Sequence, residues 1–392
     1  MKKAKIGIIG CGDISNIYFT NLSGLFCNTE IYACSDLQQE RAQEKAERFG
    51  VPHIMTAEEM MACDEIDIIL NLTPPQIHYP INKAALLAGK HVYCEKPLAT
   101  NLEHGKELVK IAEDKGLCLG GAPDTFMGAG LQTCRKMIDD GLIGNVVAGS
   151  AFMMAHGWEG KGRNHPDPAF YYKKGAGPVM DMGPYYITAL VSLLGPIEEI
   201  RAMNTTGEKY RVATTRLKYG DIIKVEANTH TAGLLRFKSG AVVTIINSFE
   251  AWQSLLPNIE LYGTDGMMVV PNPNYYGLAR VQSENPGPGV LQSWLRGIQI
   301  ATSDERGHRE WPFELKSVPF LFEYAENSRG LGLSDMAQSI LEGKKTYRAN
   351  MHLQLHVLEA LLALDNGETS YKMTTTIERP EPMKQRLIPG MV

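Results

Sequence analysis

Apolar positions in the first third of the chain come in short runs separated by amphipathic stretches, the alternation of buried strands with surface helices. Runs at 6–9, 30–35, 51–55, 66–70, 91–94 and 117–121 read as strands. Between them, 37–49 is rich in Gln, Glu, Arg and Ala and stops at Gly50, the profile of a surface helix with a left-handed cap. Thr56-Ala57-Glu58-Glu59 and the stretch from Thr100 to Glu103 read as capping boxes, each opening a helix. A further helix is expected over 81–88, ending at Gly89. Strands alternating with helices imply a doubly wound parallel sheet, an α/β Rossmann domain.

The texture changes further on. A helix over 126–140, a long strand over 146–155 and a helix over 178–194 are followed, from Ile197, by extended segments without intervening helices. Ser239-Gly240 separates 226–237 from 241–249, and Thr264-Asp265-Gly266 separates 258–262 from 267–270, two hairpin signals. These features predict a C-terminal α+β domain with a large, mainly antiparallel open sheet. Residues 271–319, with Trp294 and Trp311, read as an irregular insertion; helices resume at 334–341 and 352–364, and 377–392 reads as an arm. At 392 residues two domains are expected, cut as 1–123 and 124–392. An open sheet has an outer face to cover, so a homodimer or homotetramer is expected.

The first strand runs into Gly10-x-Gly12-x-x-Ser15, where a nucleotide-binding strand would meet its helix. Gly10 serves the tight turn, Gly12 lets a pyrophosphate approach the backbone, and Asp13 and Ile14 lead into the helix. Ser15 stands where a third glycine is usual, and is small enough for helix-to-strand packing. Asp36 ends the second strand, placed to accept from a ribose 2′-hydroxyl and to repel a 2′-phosphate. NAD is therefore the expected cofactor, NADP the less favoured one. Two loops follow strands at the same edge of the sheet. Asn71-Leu72-Thr73-Pro74-Pro75 cannot extend a central strand, so Thr73, Pro74 and His78 either line the cofactor or are solvated. In the turn Glu95-Lys96-Pro97, Lys96 either polarises a substrate oxygen or is a surface lysine.

Between the strand over 146–155 and the helix after it, His156, Trp158, Arg163, Asn164, His165, Asp167, Tyr171 and Tyr172 crowd a loop broken by Gly and Pro. Aromatic faces beside hydrogen-bonding groups suit a sugar, with His156, Trp158 and His165 as the candidate contacts. His156, His165 and Asp167 lack the i, i+4 spacing of a zinc helix, so no metal is expected. With 39 basic and 44 acidic residues the net charge of -5 leaves no footprint for nucleic acid and no polybasic membrane signal. No apolar run approaches the roughly 18 residues of a membrane helix. Seven widely spaced cysteines without a C-x-x-C read as thiols in a reducing compartment, so a cytoplasmic location is expected.

GIIGCGDIS, Asp36, NLTPPQIHYP, Glu95-Lys96-Pro97 and GAPDTFMGAGLQTCRKMIDDGLIG together resemble the Gfo/Idh/MocA oxidoreductases, the family of glucose-fructose oxidoreductase and inositol dehydrogenase, over nearly the whole chain. The resemblance implies that Lys96 is catalytic and that Glu95 and Lys96 border the cofactor. Members commonly read D-x-G-x-H-x-x-D in the helix over 178–194. Here Asp181 keeps the first aspartate, Tyr185 replaces the histidine and Thr188 the final aspartate. Asp181 and Tyr185, at i and i+4, share one helix face. Tyrosine has a family precedent there. With a free pKa of about 10 it needs a nearby cation, Lys96, to act as base. The implied reaction moves a hydride between a ring carbinol of a sugar, glycoside or cyclitol and NAD, including C3 oxidation of glycosides. The alternatives are a glycosidase using transient C3 oxidation and a non-catalytic NAD-binding regulator.

Overall fold

The computed structural model describes residues 2–160, 167–277, 298–302 and 315–384. Two compact units divide the chain: Met1–Met127 with Asn327–Leu358, and Gly128–Glu326 with Glu359–Val392.

In the first unit six parallel strands, β1 (Ala4–Ile9), β2 (Thr29–Ser35), β3 (His53–Ile54), β4 (Ile68–Asn71), β5 (His91–Cys94) and β6 (Leu119–Gly121), lie in the order 3-2-1-4-5-6. This is the doubly wound order, with its reversal beside β1 and β4. Helices α1 (Ser15–Gly24), α2 (Gln39–Phe49), α3 (Ala57–Ala62), α4 (Pro75–Leu87) and α5 (Leu102–Lys115) connect the strands. Ile9, Ile69, Leu86, Val92 and Leu108 belong to its buried core. Gly50 closes α2 at φ 68°, and the Thr56–Glu59 capping box forms as expected. Two starts differ. The cap of α5 is Asn101, whose side chain accepts from the His104 amide at 2.8 Å, rather than Thr100. Helix α4 begins at Pro75, not at 81, because proline is pre-organised for a first helical position, where its missing N–H has no intrahelical partner to lose.

Residues 327–358, assigned above to the second domain, pack in the first unit. The Asp124 carboxylate accepts from the Gly330 and Gly332 amides at the start of α8 (Leu331–Leu341). Tyr347 donates its hydroxyl to the Leu119 carbonyl, and Gln354 donates to that of Gly121. The boundary thus falls at Met127, and the chain returns to the first unit near its end.

The second unit begins with α6 (Ala129–Asp139) and contains β7 (Val146–Met154) and α7 (Gly177–Leu194). There follow β8 (Ile197–Thr205), the hairpin β9 (Tyr210–Val212) and β10 (Ile222–Lys224), then β11 (His230–Phe237), β12 (Val242–Ser248), β13 (Ile259–Gly263) and β14 (Gly266–Val270). Strands β15 (Ile298–Thr302), β16 (Lys316–Val318) and β17 (Tyr371–Lys372) complete a nine-stranded sheet ordered 16-15-14-13-7-12-11-8-17. Its pairings are antiparallel except β7 with β12. Helix α7 packs on β7, β11 and β12, and is buried along nearly its whole length. Among the described residues the last helix is α9 (Met351–Asp365), divided between the two units after Leu358. Within the insertion expected over 271–319, 298–302 and 316–318 extend the sheet; Trp294 and Trp311 lie outside the described residues.

Candidate functional site

At the end of β1, Gly10 has φ 104° and lies so close to the Leu72 carbonyl that a Cβ would approach its carbon and oxygen to 2.8 Å. Only glycine tolerates both conditions. A Cβ on Gly12 would meet nothing within 4 Å, so the backbone there is open to a ligand. Ser15 is buried and donates its hydroxyl to the Gly12 carbonyl at 2.6 Å, fastening the turn a third glycine would only have allowed. Asp13 and Ile14 are exposed, and α1 starts without a side-chain cap or an acidic residue in its first turn. Such a helix end offers its amides to an anion. The Asp36 carboxylate is oriented by the amides of Cys11 and Gln38, each at 2.8 Å. An open glycine turn, an uncapped helix start and an oriented acid at the end of β2 fit a dinucleotide.

The loops after β4 and β5 lie at the same strand ends. Asn71 is buried and accepts from the Thr73 amide at 3.1 Å and hydroxyl at 2.6 Å, while Pro74 is exposed. His78, expected to line the cofactor or face solvent, does neither: it is 0% exposed. Its Nδ1 lies 2.7 Å from the Pro97 carbonyl oxygen and its Nε2 2.7 Å from that of Thr73. Burial holds its pKa below the usual histidine value, although both carbonyls pull the other way. His78 is a strut joining the two loops. Glu95 accepts from the Tyr18 hydroxyl at 2.8 Å and from the Lys96 amide at 3.1 Å, so its carboxylate braces the turn against α1. Lys96 is half-buried on that turn.

In the second unit α7 carries Asp181 and Tyr185 one turn apart. Trp158, expected as a sugar contact, is 9% exposed and donates its indole N–H to the Asp181 carboxylate at 2.6 Å. Its ring packs edge-on against Phe249 and Tyr171. Beneath this loop lies a buried ionic cluster the sequence did not reveal. Arg211, on β9, pairs with Glu159 at 2.6 Å and Glu250 at 2.8 Å, and donates to the carbonyls of His156 and Phe249, both at 3.1 Å. Tyr172 donates its hydroxyl to Glu159; burial first, and that carboxylate next, push the phenol up. A lone arginine in a short strand carries no signal of such a role, whereas Tyr172 was visible in the crowded loop. His156 stacks on Trp252, which was not singled out. His165, with Arg163 and Asn164, lies outside the described residues. Among the described residues no cluster of three or more His, Cys, Asp or Glu could hold a metal, and no helix is long and apolar enough to cross a membrane.

A doubly wound sheet with a dinucleotide cradle, followed by a large mixed sheet carrying an Asp and a Tyr on a buried helix, defines a two-part nucleotide-dependent oxidoreductase architecture. Two family models match the chain over more than half its length. One is "Oxidoreductase family, NAD-binding Rossmann fold" over residues 4–121, the other "GFO/IDH/MocA C-terminal domain" over 131–269. The chain belongs to the Gfo/Idh/MocA oxidoreductase family, and its first unit carries the NAD-binding domain. An uncharacterized oxidoreductase of Schizosaccharomyces pombe is 32% identical over 202 residues, 50% of this chain and 53% of that one. Myo-inositol 2-dehydrogenase of Thermotoga maritima is 26% identical over 276 residues, 68% of this chain and 75% of that one. The chain matches about half the length of two Schizosaccharomyces pombe relatives. A levoglucosan dehydrogenase in complex with NADH and levoglucosan shares the fold, at TM-score 0.75 and 19% identity over 95% of this chain and 100% of that one.

Proposed function

We propose that the protein oxidises a ring carbinol of a sugar, glycoside or cyclitol, or reduces the corresponding ketone, with NAD rather than NADP as partner. The observation that carries this reading is the Asp181 and Tyr185 pair on α7, its carboxylate held by the Trp158 indole at 2.6 Å. Tyr185 takes the carbinol proton, or returns it in reverse; Asp181 orients the hydroxyl. Lys96, on the turn after β5, polarises the same oxygen. NAD, when bound, supplies the two-electron acceptor for the carbinol hydrogen. Relatives named for inositol and xylose dehydrogenation support a cyclic polyol as the substrate class. Relatives named as 3-reductases of a deoxyglucose nucleotide favour C3 as the carbon oxidised. Seven unpaired cysteines suit a reducing compartment, the cytoplasm.

The test is a screen of sugars, glycosides and inositols with NAD, read by NADH absorbance and by the two-dalton mass loss of the product. A panel yielding neither signal overturns the reading. Product cleaved at the glycosidic bond without NADH accumulation points instead to a glycosidase that oxidises its substrate transiently. Asp36 sets the cofactor choice, because its oriented carboxylate accepts from a 2′-hydroxyl and repels a phosphate. Titration with both dinucleotides should show NAD binding more tightly, and tighter NADP binding would refute that assignment.

A further inference from the structure

We propose that the exposed indole of Trp252, backed by the ring of His156, is a subsite for the second ring of a glycoside substrate, taking an aryl or pyranose aglycone face-on. The inference rests on the proposed sugar chemistry and specifies the kind of sugar: a glycoside with a ring beyond the one oxidised.

Strands β7 and β12 pair in parallel up to Met154 and Ser248, so their carboxyl ends emerge side by side. The Ala251 amide donates to the Ala155 carbonyl at 3.1 Å and brings the next residues, His156 and Trp252, together. Their rings stack at 3.9 Å with 20° between planes. The imidazole covers one face of the indole, yet Trp252 remains 84% exposed. A large apolar ring left in water carries an uncollected burial energy. Held by its stack, it also has little rotamer freedom left to lose when a ligand ring settles on it. Leu255 and Leu256, exposed on the same loop, extend the apolar border.

The platform is tied to the reactive helix through one short loop. Arg211 holds the His156 carbonyl at 3.1 Å, and two residues later Trp158 holds Asp181 at 2.6 Å. His156 and Trp158 are two residues apart, with Gly157 turning the chain between them at φ 89°, so their Cα atoms lie within about 7 Å of each other, no more than about one sugar ring. A substrate with its oxidised ring at Asp181 would therefore reach Trp252 with the next ring. Trp158 cannot serve as that platform, because it is buried and its N–H is committed to the carboxylate.

The experiment compares 4-nitrophenyl β-D-glucopyranoside with methyl β-D-glucopyranoside, which differ only in the aglycone, on the full chain with NAD, wild type against Trp252→Ala. Saturation-transfer NMR should show the nitrophenyl protons receiving saturation from wild type and losing it in the variant. Where turnover is measurable, the ratio of kcat/KM for the aryl over the methyl glycoside should fall about tenfold, with Trp252→Tyr restoring most of it. Equal saturation of the nitrophenyl protons in wild type and variant overturns the subsite. So does an unchanged kcat/KM ratio, or a changed light-scattering mass, which would make Trp252 a contact between copies. If neither glycoside is turned over while the saturation difference persists, the subsite stands and the catalytic reading falls.

Discussion

Single residues divide by how far away their partners lie. Gly10, Gly12 and Asp36 were legible in the sequence because each answers a local demand: a positive φ, an open backbone, an acid at a strand end. His78 was misread because a histidine in a loop after a strand gives no sign that carbonyls from two loops, at 73 and 97, enclose it. The bond from Trp158 to Asp181 and the role of Arg211 were illegible for the same reason, since their partners lie 23 and 52 residues away in sequence. Substitutions test the roles directly. Lys96→Ala should lower turnover by about two powers of ten, as should Tyr185→Phe, which should leave NAD affinity intact by calorimetry. On the proposed roles, in which both act on one oxygen, the double variant should lose little more than either single one. Near-wild-type turnover in Tyr185→Phe would remove it as base and turn attention to His156 or His165. Trp158→Phe keeps a ring against Phe249 and Tyr171 but deletes the donor to Asp181. Its kcat should fall about tenfold, the worth of a charge-assisted hydrogen bond, with unchanged KM for NAD. A stability loss with kcat preserved would reduce Trp158 to packing.

Elements were legible where hydrophobic period and punctuation agreed. Strand β5, the helix closed by Gly50 and the hairpin at Gly240 formed where expected. Pairings distant in sequence were not legible, among them β7 beside β12 and the return of 327–358 to the first unit. The segment after α9 shows how such a distant fit is secured. Glu359 is buried on that helix and accepts from the amides and hydroxyls of Thr374 and Thr375 and from the Tyr371 hydroxyl, fastening β17 and the chain beyond it. Burial alone would raise its pKa, but the donors outweigh it and hold the carboxyl below the usual glutamate value. A depressed folded-state pKa stabilises fully above the unfolded value of about 4.3, and the contribution fades as pH falls through the lower folded value. Glu359→Gln should therefore lose several degrees of Tm at neutral pH, and its deficit against wild type should shrink below about pH 4. Calorimetry from pH 3 to 7 checks this; a deficit independent of pH would assign the loss to packing instead of charge.

At the scale of the molecule, the nine-stranded sheet has an inner face on which α6 and α7 pack and an outer face of partly exposed side chains. Register aligns the outward side chains of neighbouring strands into rows. Phe152 on β7 stands opposite Ile246 on β12, Ile246 opposite Ala232 on β11, and Ala232 opposite Met203 on β8. This apolar row is only partly shielded, and Met203 is 80% exposed. The next row on this face carries Leu234 and Arg201, and the row beyond it Arg236 and Glu199, which pair at 3.5 Å and give the stripe a charged margin. An apolar centre with a polar rim is the anatomy of an interface between copies. Because both partners would present the same face, a two-fold axis through the row closes the assembly as a dimer, and a second interface would extend it to a tetramer. Light scattering at micromolar concentration should return a multiple of the 43.3 kDa chain mass. Met203→Glu combined with Ile246→Glu should return a single chain, since each would place a charge in the apolar centre of both copies. A wild type that is monomeric at that concentration, or a double variant that stays assembled, would show that this row is not where copies of the chain meet.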